Sequence, residues 1–504
     1  MEPYPLPPLP PLTPPTAPTT SSPRRLPPGP VLAGVGIVVI GAVLAIGAAR
    51  ILSGAAGSTA SPEASEDASA SAIALASPSA GASLEQSPAA SGELPTSTTV
   101  PGGPFASSGS MAVVGNDGSL SLVDASGRSI GLSAPETMIG FPAWSPDGTR
   151  IAAIKIGSDK AILVFDAKRA ASGQPVEPVV IFRSSTLGPF YLSWTPDGRS
   201  VSFLAEEANG LSLRVAPADG SAPLDGSGPG TKIRSGNPLY FDWIGSDRLF
   251  AHVGTGLNAF LGEIGTNGAS ASPALATPGD FRSPVVSGDR TLIGYVRGGA
   301  TGSAEVVLAA RDGSNEHTMP VFGTAALVFD PVGDTLASIG PTQPEAAPFT
   351  IPIGPVRLID PSSGKVRTLV DGKVVSFWWS PDGKTIAALR VQPAPGGTSA
   401  VSVTPSASPL PSPSQAPTEI RLLFADVASG EIRSQRVVQP GQLFIDQLLT
   451  YFDQYALSHR VWAPDSSSIL LPVVDKDGTT RVAVVYRNGD PPASIDGAIG
   501  FWSP

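Results

Sequence analysis

The sequence predicts an all-β fold, a β-propeller of eight or seven four-stranded blades that is preceded by one transmembrane helix. Three observations lead to this prediction: a W-S-P-D-G motif that recurs along the chain, an apolar segment near the N-terminus, and a chain that ends inside a copy of its own motif. The 504 residues leave room for one large repeat fold with appendages.

The motif recurs at a spacing of about 40–50 residues, which is typical of propellers in which each repeat forms one four-stranded blade. Copies begin at residues 142, 192, 241, 284, 327, 377 and 460. In the first copy, PAWSPDGTRIAAIK, the residues before the proline form the inner strand. S-P-D-G then forms a turn, because proline fixes φ and because aspartate and glycine suit the next positions. The copies at 241, 284 and 327 lack P-D-G and are assigned from spacing and strand pattern.

All seven tryptophans of the chain fall within this motif, at Trp144, Trp194, Trp243, Trp378, Trp379, Trp462 and Trp502. A large ring at a fixed position of each blade can fill the wedge between neighbouring sheets. An aromatic cage for a ligand is the alternative, but a binding site is seldom repeated in every blade. The recurrence therefore favours a packing role.

The two ends of the repeat region complete each other. Residues 110–132 contain three short apolar runs, which resemble the second, third and fourth strands of a blade without a first. The C-terminal GAIGFWSP resembles a first strand with nothing after it. We therefore expect strands from both termini to form one composite blade, which closes the ring and removes free sheet edges. With seven internal copies the count is eight, or seven if one degenerate copy is not a blade.

The motif and the apolar strand that follows it resemble the repeats of TolB-like propellers, relatives of the WD-type repeat, over about residues 110–504. This resemblance implies the propeller fold. A similar repeat builds the non-catalytic propeller of prolyl-oligopeptidase-type enzymes. The separate N-terminal α/β domain of TolB has no counterpart here, so its membrane-bridging role is not expected of this chain.

Three segments precede the propeller, which we place at residues 109–504. Residues 1–30 are too rich in proline for helix or sheet and are predicted to be a disordered tail. Residues 31–52 contain an uncharged apolar stretch that spans roughly 28 Å as a helix, close to the bilayer core of about 30 Å. Residues 53–108, rich in serine, alanine and proline, are predicted to be an unfolded linker.

The apolar segment predicts a single-pass protein of the cell membrane, with a cleaved signal peptide as the alternative. Arg24 and Arg25 precede the segment and Arg50 follows it, which favours a cytoplasmic N-terminus and an extracytoplasmic propeller. The net charge of −10 argues against a nucleic-acid partner.

No catalytic constellation is found in the sequence, and we expect no enzymatic activity, no cofactor and no metal. The chain has no cysteine, and the three histidines, His252, His317 and His459, lack metal-ligand spacing and are expected at the surface or at strand ends. The sequence DKDGTT from Asp475 resembles a calcium loop but lacks its terminal glutamate, so a hairpin turn is favoured. The motif aspartates, such as Asp147, are expected to hold their turns. A hydrolase with carboxylates at the channel mouth stays open.

Two segments depart from the repeat. Residues 393–418 are predicted to be a surface loop within the copy at 377. Residues 441–459 have apolar side chains at helical spacing and are predicted to form a helix near one mouth of the channel. Two interpretations of this helix remain open: a plug that packs on the blades, or a partner-binding surface formed by Tyr451, Phe452 and Tyr455.

Together these patterns predict a membrane-anchored propeller in the cell envelope that binds a protein or another envelope component as a scaffold. A sensor that signals through the span to the proline-rich tail is the first alternative. The hydrolase is the second.

Overall fold

The computed structural model describes residues 105–504, except 209, 222–229, 256–258, 271–274, 276–282, 299–302, 345–351 and 394–417. The predicted tail, the predicted span and almost all of the linker therefore lie outside the described residues, as does the predicted loop at 393–418 apart from its ends. Among the residues that are described, no helix is both long and apolar enough to cross a membrane. Folded contacts begin before residue 109, because Phe105 is buried and the Ser107 hydroxyl lies 2.6 Å from that of Ser468.

The described chain is built from short strands, numbered here from the N-terminus. The first half contains β1 (Met111–Val114), β2 (Leu120–Val123), β3 (Ser129–Gly131), β4 (Ile139–Trp144), β5 (Arg150–Lys155), β6 (Lys160–Asp166), β7 (Val179–Ser184), β8 (Gly188–Trp194), β9 (Ser200–Glu207), β10 (Gly210–Pro217), β11 (Thr231–Gly236), β12 (Leu239–Gly245), β13 (Arg248–Val253) and β14 (Phe260–Gly265). The second half contains β15 (Val285–Val286), β16 (Leu292–Gly298), β17 (Ser303–Ala310), β18 (His317–Phe322), β19 (Ala326–Phe329), β20 (Leu336–Ile339), β21 (Gly354–Ile359), β22 (Val366–Trp379), β23 (Thr385–Pro393), β24 (Thr418–Asp426), β25 (Ile432–Val438), β26 (Ser468–Val474), β27 (Thr480–Tyr486), β28 (Ala493–Asp496) and β29 (Ile499–Trp502). The helices are α1 (Ala167–Ala171), a π-helix (Phe444–Leu449) and α2 (Phe452–Ala456).

These strands form consecutive antiparallel sheets. Within the described residues, four sheets have four strands each, in the orders β29–β1–β2–β3, β4–β5–β6–β7, β8–β9–β10–β11 and β15–β16–β17–β18. Two sheets have three strands, β12–β13–β14 and β26–β27–β28. The first gains one isolated bridge, at Ser270, and the second gains two, at Trp462 and Pro440. One sheet runs through seven strands from β19 to β25. This succession of four-stranded antiparallel sheets is consistent with a β-propeller.

The seven-stranded sheet differs from the predicted pattern. The motif at residue 377 was expected to begin a new strand, but β22 is a single strand of 14 residues that reaches from Val366 to Trp379. Its first half pairs with β21, with two register shifts, and its second half pairs with β23, with one. An outer strand therefore continues without a break into the next inner strand.

The C-terminal strand pairs with the first strand of the domain, as the truncated motif predicts. β29 lies antiparallel to β1, with Met111 opposite Trp502 and Val114 opposite Ile499. The Ser503 amide also donates to the Ser110 carbonyl at 2.8 Å. The two ends of the described chain thus share one sheet.

The tryptophans pack between neighbouring sheets, which confirms the packing interpretation. All seven are buried, and Trp502 is fully enclosed. Because a buried indole N–H needs an acceptor, several of them donate to the carbonyl just before the equivalent motif position of a neighbouring unit. These bonds run from Trp144 to Phe501, Trp194 to Ala143, Trp379 to Val328 and Trp462 to Trp378, at 2.9–3.2 Å.

The motif aspartates hold their turns, as expected. The Asp147 carboxylate accepts from the Ser145 hydroxyl at 2.6 Å and from the Thr149 amide at 3.1 Å. The hydrogen bond from Ser145 is the main cause that lowers the pKa of Asp147. The DKDGTT segment is also a hairpin turn, between β26 and β27, where Asp477 accepts from the Thr479 amide at 2.9 Å.

Candidate functional site

The predicted helix at 441–459 is present, but it is divided between the π-helix and α2, with Thr450 and Tyr451 between them. We call residues 441–459 the plug, because they pack against the inner strands of the sheets rather than on an outer edge. Single-turn π-helical insertions are rare and often lie at functional sites. The contacts of the plug with several inner strands place it on the axis of the ring.

One side of the plug packs against β22. Phe452 is fully buried, and its ring centroid lies 5.5 Å from that of Phe377 and 6.2 Å from that of Trp378. Phe444, in the π-helix, lies 6.1 Å from Trp378. These rings meet edge to face or tilted, which is the favourable arrangement for aromatic side chains.

The other side of the plug packs against β4 and β8 through Tyr455. Its ring lies 5.6 Å from Phe141 and 5.5 Å from Tyr191. Phe141 and Tyr191 each stand three residues before a motif tryptophan, and both have left-handed backbones, with φ of 49° and 47°. A bulky residue rarely adopts this conformation. In both cases it coincides with a register shift against the next strand, so each bulge directs an aromatic ring at the plug.

Polar groups fix the plug to β12 and β8. The side-chain amide of Gln454 pairs with the backbone of Phe241, accepting from its N–H at 3.3 Å and donating to its carbonyl at 2.9 Å. The Tyr191 hydroxyl donates to the Gln454 carbonyl at 3.0 Å. Burial of these groups makes their hydrogen bonds costly to break, so they add a specific orientation to the apolar contacts.

His459 ends the plug and is buried outside any strand, which corrects the expectation of a position at the surface or at a strand end. Its Nδ1 lies 2.7 Å from the Ser458 hydroxyl and its Nε2 lies 3.3 Å from the Phe141 carbonyl. Because a carbonyl only accepts, Nε2 carries the proton and Nδ1 accepts from Ser458. Burial lowers the pKa of His459 to about 4, so the imidazole is neutral at physiological pH.

The three residues predicted to bind a partner all lie in this plug, but they do not form one exposed surface. Phe452 and Tyr455 are buried, at 1% and 7% exposure. Tyr451 is half-buried, with its ring 6.5 Å from that of Tyr240. These contacts support the plug interpretation, because the side chains of Phe452 and Tyr455 pack against the inner strands of the sheets. The spacing of apolar residues identified the helix but not its partners Phe141 and Tyr191. The sequence does contain a sign of them, because an aromatic residue stands three residues before the motif tryptophan in two consecutive copies of the motif.

A cavity of about 200 Å³ remains beside the C-terminal end of the plug. The cavity is lined by the last residues of three inner strands, by the turns that follow two of them, and by the end of α2. These residues are Val286, Gly288, Val328, Phe329, Asp330, Pro331, Trp378, Trp379, Ala456 and Leu457. Gly288 and Pro331 are exposed, whereas the aromatic residues are buried. The cavity therefore has a rim at the surface and an aromatic floor, and we call it the channel-mouth cavity.

Acidic groups lie close to this cavity. Burial is the main cause that raises the pKa of Asp330, and the negative charges of Asp334 and Asp382 raise it further. Asp382 has a cationic neighbour, since Arg487 lies 3.2 Å from its carboxylate. Beside the rim, Val332 is 68% exposed.

One further carboxyl group has an unusual environment. Asp242, half-buried on β12, accepts from the amides of Trp243 at 2.7 Å and Val286 at 2.8 Å. Burial raises the pKa of this carboxyl to about 7. In the part of the chain that the structure describes, no group of three or more histidine, aspartate or glutamate residues is placed to hold a metal ion.

No family model and no curated protein matches the sequence. Among solved structures, TolB from Acinetobacter baumannii is similar at 16% identity with a TM-score of 0.34, over 53% of this chain and 64% of that one. The C-terminal WD40 domain of Sif2 is similar at 12% identity with a TM-score of 0.41, over 80% of this chain and 98% of that one. Dihydro-heme d1 dehydrogenase NirN is similar at 15% identity with a TM-score of 0.44, over 80% of this chain and 76% of that one. These likenesses concern the fold at most, and the description of this chain as a propeller rests on its own sheets and on the pairing of β29 with β1.

Proposed function

We propose that the chain is a binding scaffold, anchored in the cell membrane, that holds an eight-bladed propeller outside the cytoplasm and binds its ligand at the channel-mouth cavity. The observation that carries the binding role is the asymmetry of the channel. The plug fills the axis with packed aromatic side chains, while the cavity beside its C-terminal end keeps an aromatic floor and an exposed rim. Concave aromatic surfaces with a few polar groups are the usual form of ligand sites.

The count of eight takes the seven-stranded sheet as two blades that share β22, and takes the isolated bridges as the missing strands of the two smaller sheets.

The membrane anchor and the orientation rest on the sequence. The apolar segment at 31–52 is the proposed span, the linker at 53–108 is the proposed spacer, and Arg24 and Arg25 favour a cytoplasmic N-terminus.

The binding role can be tested by site-specific photo-cross-linking in cells that express the full chain. A cross-linking amino acid at Val332, beside the cavity, is expected to give one discrete adduct. The same amino acid at Leu443, an exposed apolar residue at the start of the plug (38% exposed), is the matched control. Adducts at neither position, or the same adducts at both, would contradict a macromolecular partner at this mouth.

The topology can be tested separately. Protease added to intact cells is expected to degrade the propeller and to leave a short fragment that contains residues 1–30. Full protection of the propeller in intact cells, with degradation after lysis, would refute the proposed orientation.

The hydrolase alternative has one observation in its favour. A carboxyl group with a pKa near 7, such as that of Asp242, is suited to proton transfer at neutral pH. Turnover of a lactone or a glycoside by the protein, abolished by Asp242→Asn, would establish a hydrolase in place of the scaffold. Signalling to the cytoplasm, the remaining alternative, requires that deletion of residues 1–30 abolish a cytoplasmic interaction.

A further inference from the structure

We propose that the channel-mouth cavity binds a small organic cation of the quaternary ammonium type. This inference rests on the proposed function, because it names the chemistry of the ligand for the same cavity. Three properties of the cavity support it: its size, its aromatic floor and its surplus of negative charge.

The size of the cavity suits a compact ligand. A protein cavity of about 150 Å³ takes up a benzene molecule, and this one measures about 200 Å³. A trimethylammonium group with a short substituent needs only slightly more room than benzene. The exposed rim at Gly288 and Pro331 provides a route from solvent.

The lining of the cavity includes two tryptophans and one phenylalanine, Trp378, Trp379 and Phe329. The face of an aromatic ring attracts cations because its π electrons form a negative face, and tryptophan does so most strongly. An alkylated ammonium group also loses little hydration when it enters an apolar site. The same walls would therefore bind a quaternary ammonium more readily than a hydrated metal ion.

The charge of the site favours a cation. Asp330 lines the cavity, with Asp334 and Asp382 near enough to raise its pKa. Arg487 forms an ion pair with Asp382, whereas the described part of the chain gives Asp330 no ion-pair partner. A bound cation would offset the repulsion among these carboxylates. An anionic ligand would meet that repulsion directly.

The test compares choline with 3,3-dimethylbutan-1-ol, its neutral counterpart, in which carbon replaces the charged nitrogen. Each is titrated into the full-length protein, with tryptophan fluorescence and calorimetry as readouts. We expect choline to bind at least about tenfold more tightly than the neutral compound, in line with the strength of desolvated cation–π contacts. The affinity for choline is expected to weaken on acidification, as Asp330 becomes protonated.

Asp330→Asn separates the charge from the fold. The Asp330 carboxylate accepts from the Val332 amide at 3.0 Å, and an asparagine oxygen can accept the same bond. The variant should therefore fold normally and lose the preference for choline. Asp360→Asn is the matched control, because Asp360 likewise accepts from a turn amide, that of Ser362 at 2.9 Å, but does not line the cavity. It should keep the preference.

The source of the cation is decided by competition. Phosphatidylcholine vesicles that displace choline, when phosphatidylglycerol vesicles do not, would assign the site to a lipid headgroup, and absence of displacement would assign it to a free solute. Equal binding of choline and the neutral compound, or binding of neither, overturns the proposal. In that case a discrete adduct at Val332 would still support the scaffold, so the two proposals can fail separately.

Discussion

Replacing Phe452 with alanine removes the ring that joins the plug to β22. Phe452 is 1% exposed and contacts Phe377 and Trp378 at centroid distances of 5.5 and 6.2 Å. Truncation of a fully buried phenylalanine to alanine costs about 3–5 kcal/mol, through lost apolar burial and the cavity left behind. Since a folded domain is stable by only about 5–15 kcal/mol, Phe452→Ala is expected to remove a large share of the free energy of unfolding.

The assay is equilibrium urea denaturation of the protein, followed by tryptophan fluorescence. Leu443→Ala serves as the control within the same plug, because Leu443 is 38% exposed and its loss should cost less than about 1 kcal/mol. A double-mutant cycle with Phe377→Ala should show a coupling of about 0.5–1.5 kcal/mol, as expected for an aromatic pair in contact. If Phe452→Ala costs no more than Leu443→Ala, the plug is not packed in the channel and the reasoning fails.

Three further predictions concern buried groups. Between about pH 4 and 6.5, unfolding takes up a proton at His459, whose pKa burial lowers to about 4, and releases one at Asp242, whose pKa burial raises to about 7. His459 thus lowers stability as the pH falls, while Asp242 raises it, each by at most about 1.4 kcal/mol per pH unit. Relative to the unmodified protein, His459→Gln and Asp242→Asn should therefore change the slope of stability against pH in opposite directions, and equal changes would contradict the opposite pKa shifts of the two groups. Gly354→Ala should lower the melting temperature sharply, because an added Cβ would lie 2.0 Å from the Gly340 carbonyl oxygen; an unchanged melting temperature would show that this close approach is absent. Trp194→Phe should cost about 1–3 kcal/mol in urea denaturation, because it leaves a buried carbonyl without its donor at 2.9 Å and removes part of a buried ring; no measurable cost would remove the indole from the contact between sheets.

Much of the fold can be predicted from the sequence because the same turn motif and apolar strand pattern recur from blade to blade. The turn at Asp147 is built from residues that are adjacent in the chain, so its pattern is visible without the structure. The role of Trp502 is also predictable, since the incomplete motif at the C-terminus matches the missing strand before Met111.

The candidate site is less predictable because it depends on contacts between distant segments. The left-handed backbones of Phe141 and Tyr191 are stabilised by a plug that lies more than 250 residues further along the chain. Helical spacing identified Phe452 and Tyr455 as one apolar face, but it could not tell whether that face meets a partner or the channel. The channel-mouth cavity likewise forms only when three inner strands and the end of α2 come together.

The closure of the ring by both chain ends is tested most directly by deleting residues 499–504 and measuring thermal and urea denaturation. The deletion removes β29, including Trp502, Phe501 and Ile499, which are all buried at 2% exposure or less. Deleting Pro504 alone, which lies beyond β29 and is only half-buried, is the control. We predict a large loss of stability for the longer deletion and almost none for the control, with partial recovery when a peptide of residues 498–504 is added. An unchanged melting temperature after removal of β29 would contradict the closed ring.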